Sequence, residues 1–435
     1  MNKQKWIECA LANGFESFQI RTASVTNRKL GWFGGQADSF VTSSTDLYVM
    51  RGLCGGKMAV FSADAPDDSE MEQVIRSMKE MAAVITSDDR EFIRKPEPTE
   101  EVKSSRVWVR PESAEVISLL EDLEKRILAF DPRIVQVIHL EWSDGNVAGQ
   151  IVNSYGMDIS DDTRAQILVA GAAASDGTDV KNGYKVEVVG DLSSFDRDAF
   201  VRELCSEILA KIGAKSMPSG NYPVIMEKEA MTDLFSAFSD MFSGELVGKG
   251  ISPLRDKLGE KIFSPLVTVV DDPRDDAMMG ISNYDDEGCP TRRKVLVENG
   301  VLKQILHHSK SAARMDTEST GNGFSGSVSP MGCCIVPGTK TLEELCADMG
   351  NGLVVTELQG LHAGLDHVTA DFSLQCQGYI VENGRRSRSV SLITVAGNYL
   401  DLMKRVTAVA SDLDWKYYTV AAPSIAFESI AVSGE

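Results

Sequence analysis

The chain has no apolar run approaching the roughly 18 residues that a membrane-spanning helix requires. No spanning segment is therefore expected. Its opening stretch, MNKQKWIECALANGF, lacks the long apolar core of a secretory leader, which points to a cytoplasmic protein. The eight cysteines are scattered and include no CxxC pair, so neither a disulfide framework nor a zinc knuckle is expected, only reduced thiols. Positive charge is in deficit: 44 basic against 64 acidic residues give a net charge of -20. Such a surface repels a phosphate backbone, which argues against direct nucleic-acid binding. The one small basic run, Arg385-Arg386-Ser387-Arg388, directly follows a hairpin-type turn and reads as a solvated strand edge.

With 435 residues, 43% of them hydrophobic, the chain is too long for one ordinary core and has ample material for two or three. The pattern is α+β: an N-terminal α+β region (1–217) followed by a larger, antiparallel, sheet-rich C-terminal domain (218–435). Apolar spacing predicts helices around Trp6, over Ser69–Ile85, from Pro111 to Leu128 and over Phe195–Ile212. Extended segments are expected at Glu16–Arg21, Gly31–Thr42, Asp46–Arg51, Val135–Trp142, Gly149–Asn153, Thr163–Ala174 and Lys185–Val189. Asp144-Gly145 reads as a turn. The charged segment 86–106, with Pro96 and Pro98, reads as an exposed connection, and it leaves room for a subdivision near 86–110. Met217–Pro223 is the domain boundary.

Beyond it, Val224–Met226 is a short strand leading directly into a helix that ends at Phe242. Hairpins are expected about Asn299-Gly300 and Asn383-Gly384. A capping box from Thr341 to Glu344 opens a helix that stops at Gly350, and the last helix is expected over Asn398–Ser411.

Several residues could carry chemistry. Glu229 and Asp233, four apart, share the helix face opposite the apolar stripe of Met231, Leu234, Phe235 and Phe238. Two carboxylates one turn apart can bind a hard cation or hold a proton, although an ammonium at Lys228 would compete with the cation. The segment Glu357–Tyr379 gathers His362, His367, Asp366, Asp371 and Cys376 among glycines. A loop could bring some of these together as zinc ligands, but spacing fixes no such geometry. His307 and His308 lie at a strand end, where neighbours point to opposite sides. Gly321–Gly326 formally matches GxGxxG, yet it has neither the entering strand nor the following helix of a dinucleotide site. Cys333 and Cys334 have no flanking base to activate either as a nucleophile.

The segments Gly360–Asp366 (GLHAGLD), Ala370–Leu374 (ADFSL), Gly378–Gly384 (GYIVENG) and Ile393–Asn398 (ITVAGN), with Thr320–Phe324 and Asn153–Gly156, resemble the PmbA/TldD family, a group also labelled modulators of DNA gyrase. The resemblance spans essentially the whole chain and is nearer the PmbA (TldE) branch. It implies a two-part subunit that associates as a dimer. In the family, the TldD-type subunit carries a His-Glu-x-x-x-His zinc-protease helix and the PmbA-type subunit lacks it. The two together degrade unfolded or small peptides.

The corresponding positions here are Lys228, Glu229 and Asp233, so only the glutamate is kept. The resemblance therefore implies no catalytic or metal-ligating residue in this chain, zinc in a TldD-like partner, and a homodimer when that partner is absent. Two alternatives remain open. One is an autonomous metallopeptidase with ligands from His362, His367 and perhaps Cys376. The other is a protein-binding modulator of gyrase.

Overall fold

The computed structural model describes residues 1–435 and is α+β throughout. The N-terminal region is one six-stranded antiparallel sheet. Its strands are β1 (Ser17–Phe33), β2 (Gln36–Cys54), β3 (Lys57–Ala63), β4 (Ile134–Asn153), β5 (Asp158–Ser175) and β6 (Val180–Val188), in spatial order β3-β2-β1-β4-β5-β6. Helices α1 (Lys3–Ala12) and α2 (Met71–Val84) cover the β1–β3 end, where Trp6, Phe18, Ile20, Met50, Ile75 and Met78 are fully buried. Helices α3 (Ser113–Phe130) and α4 (Arg197–Lys211) cover the other end over Leu120, Leu123, Trp142, Leu168 and Leu204.

The strands are longer than their patterning predicts. Residues 33–47 are exposed on both faces, so no buried side demands alternation, although the β1–β2 ladder continues through them. The turn between these strands is Gly34-Gly35, with φ of 60° and 82°. Asp144-Gly145 is not a turn but lies mid-strand in β4. There the Asp144 carboxylate accepts from Arg28 Nε (2.8 Å), Arg110 Nε (2.7 Å) and Trp142 Nε1 (2.8 Å), so it is not free to close a local turn. Gly145 is required for close backbone approach, because a Cβ would come within 2.6 Å of the Thr26 carbonyl.

The connection 86–106 has no regular structure, as read, and is mostly exposed, yet it is bound along its length to the C-terminal half. Asp89 pairs with Arg314 (2.7 Å) and Glu91 with Lys310 (2.8 Å). The Asn283 amide exchanges hydrogen bonds with the backbone of Val102 at 2.8 and 3.0 Å.

The C-terminal half begins with β7 (Gly220–Met226), which runs straight into α5 (Lys228–Phe238). Strand Gly352–Gln359 lies parallel to β7. On the other side of β7 follow Ile425–Ser433, Arg385–Asn398 and Asp371–Glu382, each antiparallel to its neighbours. Asp371–Glu382 pairs back onto Gly352–Gln359, so the ladder closes into a barrel. A second, five-stranded sheet of short segments includes Val269–Asp271, Lys294–Glu298 and Cys333–Ile335.

Both Asn-Gly pairs form the expected hairpin turns, which need positive φ at both central residues. The angles are 48° at Asn299 and 82° at Gly300, and 52° at Asn383 and 74° at Gly384. The Thr341/Glu344 capping box is present. The last helix is shorter than expected, Tyr399–Lys404, because Val406–Val409 is recruited as a strand against Ile425–Ser433. No helix is long and apolar enough to cross a membrane.

Candidate functional site

Helix α5 buries Met231, Leu234, Phe235 and Phe238 in the barrel-side core, and the Ser424 hydroxyl accepts from the backbone N–H of Lys228 at 2.9 Å. Its opposite face, bearing Glu229 and Asp233, looks into a cleft of about 950 Å³ between the N-terminal sheet and the barrel. β6 and α4 form one wall. The other is formed by α5, by residues 356–359, 375–378 and 386–392, and by the turn 416–418.

Charged side chains line part of the cleft, beside apolar ones. Lys416 Nζ lies 2.8 Å from Glu229 Oε1, and Lys228 Nζ lies 3.1 Å from Asp414 Oδ2. Burial alone would lower both lysines, but the facing carboxylates, Glu229 foremost, leave both above their ordinary value. Opposite them, Lys211 Nζ bridges Glu357 (3.0 Å) and Glu207 (3.2 Å). Burial opposes the Glu357 carboxylate. Hydrogen bonds from Gln359 and the charge of Lys211 outweigh that effect and leave it below the usual range.

Two carboxylates have no such partner. Burial, reinforced by the charge of Glu229, pushes Glu227 up to about 7. Burial, with Glu229 and Glu357, pushes Asp233 up to about 6.

This arrangement does not fit a zinc centre. Such a site needs three or more neutral nitrogen, thiolate or carboxylate donors and an open position for water. Here Lys228 is an ammonium engaged by Asp414, Glu229 is engaged by Lys416, and Asp233 alone is left as a donor on the helix. No group of three His, Cys, Asp or Glu side chains is placed to hold a metal ion anywhere in the chain.

The structure scatters the other candidates. His362 and His367 are exposed on the turn 361–370, away from the cleft lining, and His367 Nδ1 faces Asp240 at 3.6 Å. Cys376 lies in the cleft wall but is 2% exposed and packs into the core, where burial pushes its thiol up to about 12. Of that segment, Glu357, Gln359, Gln375 and Gln377 present their polar groups to the cleft instead.

His307 and His308 correct the strand-end reading. Both precede the helix Ser309–Arg314, and both Nδ1 atoms face the Ser311 hydroxyl, at 3.2 and 2.9 Å. His308 Nδ1 also accepts from the Ser311 backbone N–H (3.0 Å), and Ser311 is 1% exposed, so the cluster is a buried helix cap that no substrate reaches. The GxGxxG lookalike is structural. Asn322 donates to Asp271 (3.0 Å) and accepts from Lys294 Nζ (2.8 Å), completing a fully buried ion pair of 2.8 Å between Lys294 and Asp271. Cys333 and Cys334 are buried, and burial pushes Cys334 up to about 12. In the basic run, the Arg386 guanidinium stacks 4.3 Å over the Tyr379 ring at the cleft margin.

Sequence reasoning missed Glu227, Lys211, Lys416, Tyr417, Tyr418 and Leu392. Glu227 alone left a signal, a third carboxylate immediately before the α5 pair. The others reach the cleft from distant elements.

Comparisons with known proteins match two adjoining stretches of the chain. Residues 106–215 match the model of the PmbA/TldA metallopeptidase central domain, and residues 219–434 match that of its C-terminal domain. A metalloprotease of Methanocaldococcus jannaschii is 33% identical over 49% of this chain, which spans about half (48%) of that protein's length. Metalloprotease PmbA of Escherichia coli O157:H7 is 26% identical over 74% of this chain and 70% of its own. The fold superposes on a Thermotoga maritima structure described as a modulator of a DNA gyrase, with a TM-score of 0.90, 30% identity and 99% of both chains covered. It also superposes on TldE from Thermococcus kodakarensis, with a TM-score of 0.90 at 23% identity over 99% of this chain and 100% of that one, a likeness of fold. Two adjoining family domains and near-complete superposition on the Thermotoga structure place the chain in the PmbA/TldD family.

Proposed function

We propose that this chain is the non-catalytic, PmbA/TldE-type subunit of a two-subunit metalloprotease acting on unfolded or small peptides. A TldD-like partner would supply the zinc and the His-Glu-x-x-x-His helix. The observation that carries this reading is the ion pairing of α5: lysine and aspartate stand at the two positions where the family resemblance implies histidines, and Lys416 holds the remaining Glu229 at 2.8 Å. A glutamate so engaged has no metal-bound water to deprotonate. The adjoining cleft of about 950 Å³ is wide enough for several residues of extended chain, and its walls come from both halves of the molecule. The relatives' metalloprotease names fit a subunit of such an enzyme.

The test is zinc content by atomic emission together with cleavage of an unfolded peptide, for this chain alone and mixed with a His-Glu-x-x-x-His relative from the same cell. Absence of zinc and cleavage alone, with cleavage on mixing, is the expected result. Stoichiometric zinc and cleavage by this chain alone, lost on replacing His362 or His367, would overturn it.

A further inference from the structure

The cleft holds two non-glycine residues with left-handed backbone, Lys416 (φ 43°) and Leu392 (φ 57°). Lys416 lies in a turn, where the Asp414 side chain accepts from its backbone N–H at 3.3 Å. Leu392 lies in no such turn. A side chain branched at Cγ rarely adopts positive φ, and backbone strain of this kind gathers at functional sites. Leu392 is also 71% exposed, so folding gains almost nothing by placing a leucine there.

The ladder register shows how the leucine is presented. Cys376 pairs with Ile393 and Gly378 with Val390, so Ser391 and Leu392 together oppose the single residue Gln377. This is a β-bulge, the device that re-aims a side chain out of the regular pleat. Across the cleft, β6 is the outermost strand of its sheet and presents Tyr184 (56% exposed) and Val180 (66% exposed). Gly171 lets the Tyr184 ring lie flat on the sheet, since a Cβ there would come within 2.5 Å of it. Apolar groups thus face the same space from both walls, while the carboxyl groups of Glu227 and Asp233, which also line it, make no ion pair.

We infer that Leu392 is a specificity-determining contact of this cleft, seating an apolar side chain of an extended peptide that also carries a cationic residue. The occupant is set by complementarity: the bulged leucine with Tyr184 and Val180 takes the apolar group, and the unpaired carboxylates of Glu227 and Asp233 take the cation. This deepens the peptide-processing reading and rests on it for the identity of the substrate. The side chains would be read by this subunit, whichever chain cuts the backbone.

The test uses fluorescent peptides of Gly and Ser with one Lys and, at one position, either Leu or Ser. Binding to this chain alone is followed by anisotropy, and cleavage is followed in the mixture with the zinc-bearing relative. The Leu peptide is expected to bind about tenfold more tightly than the Ser peptide. Leu392→Gly, which suits positive φ, should abolish that difference while leaving the melting temperature unchanged or higher. Equal binding of the two peptides, no binding of either, or a difference that survives Leu392→Gly would overturn the inference. Cleavage on mixing in any of those cases would leave the partner-subunit reading standing. A Leu392-dependent preference without cleavage on mixing would keep the inference and sink that reading.

Discussion

Lys416 Nζ sits 2.8 Å from Glu229 Oε1, so the glutamate on the cleft-facing side of α5 is engaged by a cation from a turn 187 residues away. Removing the lysine leaves Glu229 facing Glu227 and Asp233 with no positive charge in contact. Lys416→Met is expected to destabilise the fold by about 1 kcal/mol. The effect is modest because the Glu229 side chain is 39% exposed and water screens it. Glu229→Gln in the same chain should recover most of the loss. Urea denaturation of the two single variants and the double variant measures the coupling.

Glu227 makes stability depend on pH. Its pKa is about 7 in the folded chain against an ordinary 4.5, so the folded state binds the proton more tightly than the unfolded state. Stability therefore falls as pH rises from about 4.5 to about 7 and is level above that. Asp233, at about 6 against 3.8, acts in the same direction over a lower window. Glu227→Gln is expected to flatten the fall and to gain on the order of 2 kcal/mol at pH 8 relative to the unsubstituted chain. Denaturation midpoints across pH 4.5 to 8 test this, and an unchanged slope in the variant would refute the assignment.

The Asp271–Lys294 pair is 0% and 2% exposed, and its remaining hydrogen-bonding capacity is met by Asn322, Thr320 and Met331. Lys294→Met strands a buried carboxylate and should cost about 3–5 kcal/mol. Replacing both, Asp271→Asn with Lys294→Met, should cost clearly less than the lysine substitution alone. Guanidinium unfolding of both variants gives the comparison.

The strap 86–106 is held at its far end by Asp276, which accepts from Ser104 Oγ (2.7 Å) and the Ser105 backbone N–H (2.9 Å). Asp276→Ala is expected to free this end locally at about 1 kcal/mol, with little change in global stability. Limited trypsin digestion should then cut at Lys103 and Arg106 several-fold faster. An unchanged rate would mean that the strap is retained by its other bonds.

Much of the fold is legible because its signals are local. The stripe of Met231, Leu234, Phe235 and Phe238 fixes α5, and the Asn-Gly pairs demand positive φ at both turn residues. Asp144-Gly145 carries a similar turn signal and misleads, because Arg28, 116 residues away, claims the carboxylate and draws it into a strand. His307 and His308 mislead for a related reason. The alternation rule presumes a strand, whereas Ser311 turns the segment into a helix cap and gathers both rings. In the candidate site, Glu229 and Asp233 are legible, but the lysine that decides the chemistry of Glu229 is not.

The sequence by itself determined the α+β character, the longer helices, the capped and Asn-Gly turns, and the family resemblance. These depend on backbone sterics and on periodicity within a few residues. Only the tertiary structure decided which polar groups meet. It gathered Glu227, Glu229, Asp233 and Glu357 with Lys211 and Lys416 around one cleft, left His362 and His367 outside it, and buried Cys376. Charge pairing acts through space between elements that topology brings together. A carboxylate's partner, its burial and therefore its protonation are consequently settled only once the chain has folded.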